Sequence, residues 1–141
     1  MNYLLPTQTL LDLCAEGSNP ALEWAKSVDT RSLRVSVISI ADAQAAIMLV
    51  EDAQERTRLD ADFAALIEKI EGDAGPPLPF QTGHANIWKV LINDPALAGL
   101  AQVDRQIYAT AMHEGLTVLE EMRPHTAALR ELGVDILALG S

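Results

Sequence analysis

The chain reads as an α/β protein whose central, mostly parallel sheet is flanked by helices. Three observations predict this. Four short apolar runs with strand character alternate with helical stretches long enough for crossover connections, the pattern of a parallel sheet covered by helices. Hydrophobic residues make up 49% of the 141 residues and aromatics only 4%, so the core is built of Leu, Ile, Val and Ala, which suits helices on a sheet. Most helical stretches also carry their own start or stop signal.

The first strand spans Asn2–Leu5 and stops at Pro6. A short helix is expected over Thr9–Glu16, with Gly17 as its C-terminal cap. In "SNPALEW", Asn19 caps the next helix, Pro20 fits its first position and Glu23 complements its dipole. "LRVSVIS" alternates like a strand, and Ser39 is expected to cap the mostly apolar helix "IADAQAAIMLV". Leu59, Phe63, Leu66, Ile67 and Ile70 then fall on one face of an amphipathic helix.

"GDAGPPLPF" ends that helix and leads into a brief strand. Helices are expected over Thr82–Ile92, with Ile87, Val90 and Leu91 inward, and over Gln102–Glu114, stopped by Gly115; "NDPALAGL" loops between them. "LTVL" is the third strand, Pro124–Leu132 a helix closed by Gly133, and "DILAL" the last strand. No repeat or linker divides the chain, so residues 1–141 form one domain.

Composition narrows the function. Ten basic residues against 20 acidic ones give a net charge of −10, which tells against nucleic-acid binding through phosphate neutralisation. The pairs Arg31/Arg34 and Arg56/Arg58 read as solvated helix faces and loop ends. A lone cysteine, Cys14, excludes an internal disulfide and fits a reducing cytoplasm; no apolar run approaches membrane-spanning length. Cys14 is expected to pack inside the first helix.

His84, His113 and His125 lie far apart with no metal-ligand spacing, and His113 reads as a helix-end residue facing the dipole. Trp24 and Trp88 read as core or interface anchors, and no G-x-S-x-G nucleophile motif is present.

In parallel α/β folds ligands gather outside the carboxyl ends of the strands. Pro6, Asp42, Asp104 and Met122 are the residues expected just after a strand or in the first turn of the helix that follows. Around them the strings "YLLPTQTLLDL", "NPALEWA", "VSVISIADAQAAI", "VDRQIYATAMHEGLTVL" and "ELGVDILAL" resemble, in order and spacing, the PIN domains of the VapC/FitB type. These are the toxin halves of type II toxin–antitoxin pairs.

The resemblance covers nearly the whole chain and implies a three-layer PIN-like fold. It also implies Mg²⁺- or Mn²⁺-dependent RNA hydrolysis by three or four carboxylates, together with a homodimer and an antitoxin partner.

Carried over position by position, the first family aspartate falls on Pro6, beside a retained Thr7 and with Gln8 in place of Asn. The second acid is Asp42, shorter than the usual Glu, and the third is Asp104. The fourth falls on Met122, and Glu120 and Glu121 replace the Thr-Arg pair before it. Neither Pro6 nor Met122 offers an oxygen for a hard cation, so Asp42 and Asp104 imply weak metal binding or none. Pro6 and Met122 are expected to fill the vacated cavity.

Glu120 and Glu121 are read either as a solvent-facing pair or as relocated carboxylates. The leading expectation is an inactive PIN-domain homologue working through protein binding. The alternative is an active endoribonuclease using Asp42, Asp104 and one of Glu120 or Glu121.

Overall fold

The computed structural model describes residues 1–140. Four parallel strands, β1 (Tyr3–Leu4), β2 (Leu33–Arg34), β3 (Thr117–Glu121) and β4 (Ile136–Leu139), lie in the order β2-β1-β3-β4. Seven helices connect and cover them: α1 (Thr7–Leu13), α2 (Pro20–Ala25), α3 (Val37–Met48), α4 (Ala53–Ala74), α5 (Thr82–Ile92), α6 (Gln102–Glu114) and α7 (Thr126–Glu131).

The period of two along a strand sends neighbouring residues to opposite faces. Leu4, Val118 and Ile136 therefore join one buried cluster with Ile107, Tyr108 and Leu129. Leu5, Leu119 and Leu139 join another with Leu10, Ile47, Phe63 and Ile70. The result is three layers, a sheet with a hydrophobic core on each side. No helix among the described residues is long and apolar enough to cross a membrane.

Several expected boundaries move. The first helix starts at Thr7, two residues early, and ends at Leu13. Pro6 is its N-cap, in extended conformation, and its carbonyl accepts from the Leu10 amide at 3.1 Å, so the strand turns directly into the helix. Cys14, not Gly17, is the C-cap. The second strand is only two residues long, and Ser36 rather than Ser39 caps α3, its side chain accepting from the Ile38 amide at 3.0 Å.

Beyond Arg34 the backbone pairs not with β1 but with the segment after α4. Leu78 forms a parallel bridge with Ser36, donating to the Val35 carbonyl and accepting from the Val37 amide. The brief strand expected at the end of "GDAGPPLPF" is this bridge. Ser39 is instead buried inside α3, and its hydroxyl has no hydrogen-bond partner among the described residues. The helix expected from Pro124 begins at Thr126, whose hydroxyl accepts from the Arg123 amide. Val90, expected inward, is exposed.

The amphipathic face of α4 packs as its spacing requires: Phe63 and Ile70 are buried, with Leu59, Leu66 and Ile67 partly buried beside them. Gly115 closes α6 in the left-handed region, φ 69°, where glycine carries no Cβ penalty.

Cys14 is buried in the core on the α4 side, and burial pushes its thiol up to about 11, helped by the charge of Asp62 and opposed by Arg58. Thiolate is the reactive form. Iodoacetamide should therefore label the folded chain far more slowly than the urea-unfolded chain at pH 8, and equal rates would place the thiol in water.

Candidate functional site

A cleft of about 350 Å³ opens at the carboxyl ends of the strands, as the parallel topology dictates. It collects the residues that the resemblance carried over as site positions. The start of α1 contributes Pro6, Thr7 and Gln8, α3 contributes Asp42 and α6 contributes Asp104. Glu120 and Glu121 come from the end of β3, followed by Met122. Thr9, Asp12 and Arg123 complete the wall.

The anchoring of α1 is specific. The Thr9 hydroxyl, fully buried in the helix, donates to the Leu119 carbonyl of β3 at 2.6 Å. Pro6 is buried on the cleft wall. Met122 does not fill the cavity: it is 58% exposed and stands at the rim, because β3 runs on to Glu121 and releases the chain into solvent.

That longer strand also corrects the reading of the two glutamates as a solvent-facing pair. Alternation places Glu120 on the same face as Val118, beneath α6, where it is 5% exposed, while Glu121 points outward. Asp42 lies in the second turn of α3 rather than the first, because that helix begins at Val37. Asp104 does sit in the first turn of α6, where the helix dipole favours an acid.

The centre of the site is a connected polar network. The Tyr108 hydroxyl contacts both carboxylate oxygens of Glu120, at 2.9 and 2.7 Å. Arg123 donates from Nη1 to the Tyr108 hydroxyl at 3.0 Å and from Nη2 to Asp104 Oδ2 at 3.0 Å. Its guanidinium also lies 3.9 Å from Glu120 Oε1.

Burial pushes the Glu120 carboxyl above the ordinary carboxylate range, with the Tyr108 hydrogen bond and the Arg123 charge opposing it. Burial also raises the Tyr108 phenol, as does the charge of Glu120, so it remains an O–H donor. For Arg123 burial works against the charge, but the bond to Asp104 and its surrounding partners prevail and the guanidinium stays protonated.

A divalent-cation site of the carboxylate type fits these residues poorly. Pro6 has no side-chain donor, Asp104 is already paired with a guanidinium, and both Glu120 oxygens face a phenol. Asp42 makes no ion pair or hydrogen bond among the described residues, but it does not converge with two other acids. Among the described residues only His84, His113 and Glu114, outside the cleft, bring three ligand atoms within 4.8 Å of one another. Thr7 Oγ1, on the cleft wall, is buried and unpartnered.

Sequence reasoning missed Arg123 and Tyr108. Arg123 lies directly after Met122 and reads in isolation as one more surface cation, and Tyr108 as one more core aromatic. The one available signal was the placement of a basic residue beside two adjacent acids.

No protein-family model and no curated protein sequence matches this chain. Solved structures do. The chain is similar to a FitAcB structure from Neisseria gonorrhoeae, with TM-score 0.76 and 22% identity over 96% of each chain. It is also similar to a DNA-bound VapBC from Salmonella typhimurium, with TM-score 0.72 and 15% identity over 98% of each chain. A third is VapBC-5 from Mycobacterium tuberculosis, a member of the VapBC family of toxin–antitoxin systems, with TM-score 0.68 and 19% identity over 97% of this chain and 98% of that one. With a parallel sheet of order β2-β1-β3-β4 between helical layers and an acidic cleft at its carboxyl edge, the chain has the PIN-domain fold of the FitB and VapC type.

Proposed function

We propose that this chain is a toxin–antitoxin-type PIN-fold protein that has exchanged its nuclease centre for an internal ion-pair network and acts by binding protein. The observation that carries this reading is the Arg123 guanidinium inside the acidic cleft, bonded at 3.0 Å to Asp104 and at 3.0 Å to the Tyr108 hydroxyl that holds Glu120. A fixed cation already sits among the acids. Together with Pro6 and the exposed Met122 at two family ligand positions, it leaves Mg²⁺ or Mn²⁺ a weak hold at most.

The structures it resembles are complexes, one of them a named toxin–antitoxin pair and another bound to DNA. An antitoxin-like protein is therefore the partner of choice, with a homodimer as the working assembly and the cytoplasm as its setting. Asp12, Asp42 and Glu121 on the cleft wall leave an acidic surface suited to a basic partner segment. Nucleic acid, if reached, would be contacted through that partner, since this chain carries a net charge of −10.

Cleavage of a mixed RNA substrate with Mg²⁺ or Mn²⁺, beside Asp104→Asn and a chelator blank, tests the loss of activity. The expected result is silence in all arms. Cleavage abolished by both controls would favour the alternative, an active endoribonuclease drawing on Asp42, Asp104 and Glu121 once Arg123 swings away. Glu121 supports that alternative by being exposed on the cleft wall. Light scattering checks the assembly separately, and a monomeric mass would remove the homodimer.

A further inference from the structure

The three residues with converging ligand atoms lie at the opposite end of α6 from the cleft. His113 is nine positions after Asp104, about 14 Å along the helix. From α5, His84 is fully buried and its Nε2 lies 2.8 Å from Glu114 Oε1. His113 Nδ1 is 3.7 Å from the same oxygen, and the two imidazoles meet edge to face with centroids 5.0 Å apart. Two ligands each about 2.0–2.1 Å from a tetrahedral cation stand roughly 3.3 Å apart, so the spacings around Glu114 fall on either side of that value.

Gly83 makes the arrangement possible. A Cβ at that position would stand 2.2 Å from His113 Nε2, so only glycine lets this ring lie against α5. Glycine is among the weakest helix formers. Here its absence of side chain is used to seat a second imidazole beside a buried one.

We infer that His84, His113 and Glu114 form a binding site for a borderline dication of the Zn²⁺ class. Two imidazoles and one carboxylate suit such ions and leave a position for water. The site joins α5 to α6 and is separate from the acidic cleft and from the function read there.

The hydrogen bonds around His84 specify a consequence. Its Nδ1 accepts from the Gln81 backbone amide at 3.0 Å, closing the capping box of α5, so the ring proton sits on Nε2 and points to Glu114. A cation on Nε2 displaces that proton to Nδ1. Two donors then face each other, and the Gln81 amide loses its acceptor. Metal binding therefore opens the α5 cap, which moderates the affinity and gives the site its own spectroscopic signature.

The test is calorimetric titration of the full chain with Zn²⁺, followed by amide NMR. One equivalent should bind, with the Gln81 amide among the resonances that shift most. His113→Asn and Glu114→Gln, both at exposed positions, should weaken binding more than about tenfold. Gly83→Ala should do the same by evicting the His113 ring from its seat, although none of the three ligand residues is itself substituted. His125→Asn should leave binding unchanged. Circular dichroism confirms that each variant is folded. Absence of binding in the wild type, equal affinity in the three site variants, or binding without movement of the Gln81 amide would overturn the assignment.

Discussion

Arg123→Met is expected to destabilise the fold by roughly 2 kcal/mol, with a fall in thermal midpoint of about 6 °C. The guanidinium makes two 3.0 Å bonds, to Asp104 and to the Tyr108 hydroxyl, and is the cation nearest the buried Glu120. Removing it leaves Asp104 unpaired in a partly buried place and two acids facing each other without a counter-charge. Breaking a buried pair from one side is costly because the remaining charge keeps its desolvation penalty.

The Arg123 side chain is 35% exposed, so water screens part of the loss and keeps it at the lower end for a buried pair. Arg123→Lys should recover only part of it, since an ammonium cannot reproduce the fork to two partners. Urea unfolding of the three proteins measures this directly. A Met variant as stable as wild type would mean the network is ornamental and the cleft is held by packing alone.

Tyr108→Phe is expected to cost about 2–3 kcal/mol at neutral pH, although it removes one oxygen atom. That hydroxyl faces both oxygens of a carboxylate that is 5% exposed. Without it the charged form of Glu120 is buried with no hydrogen-bond donor among the described residues and only a guanidinium 3.9 Å away to answer it.

The pH dependence follows from the direction of the Glu120 shift. Burial raises its carboxyl in the folded state, so between the unfolded and folded values the folded chain holds a proton that the unfolded chain has released. The stability this lends is fully present below the ordinary carboxyl pKa and is lost as pH rises through the folded value. Relative to Glu120→Gln, wild type should therefore lose stability with rising pH across that window. Tyr108→Phe should steepen the loss and extend it upward, because the hydrogen bond that opposes the rise has gone. Urea unfolding at a series of pH values checks the sign, and a wild-type-minus-Gln difference that grows with pH would overturn it.

Much of the architecture was legible because it is written locally. The i, i+4, i+7, i+8, i+11 spacing from Leu59 to Ile70 sits on one face of α4 whatever the rest of the chain does. Asn19 and Pro20 announce α2 within a few residues, and the Asn19 side chain does accept from the Leu22 amide. The second strand differs from its alternating string because its backbone partners are remote, with β1 pairing only Leu33 and Arg34. Leu78 then pairs with the backbone at Val35 and Val37, and the helix capped at Ser36 begins there.

The site divides in the same way. Alternating strands and helices imply a parallel sheet, and such a sheet delivers the residues after its strands to one edge. That alternation alone places Pro6, Asp42, Asp104 and Met122 at one cleft. What the cleft contains follows from contacts between distant parts of the chain. Whether Glu120 faces water or core depends on where β3 ends, since one residue of strand reverses the direction of a side chain.

The pairing of Arg123 with Asp104 and Tyr108 spans 19 and 15 positions, and that of His84 with Glu114 spans 30. No helical or strand period connects such residues. Their meeting is set by how α6 packs against α5 on one side and β3 on the other, and packing is a property of the whole chain.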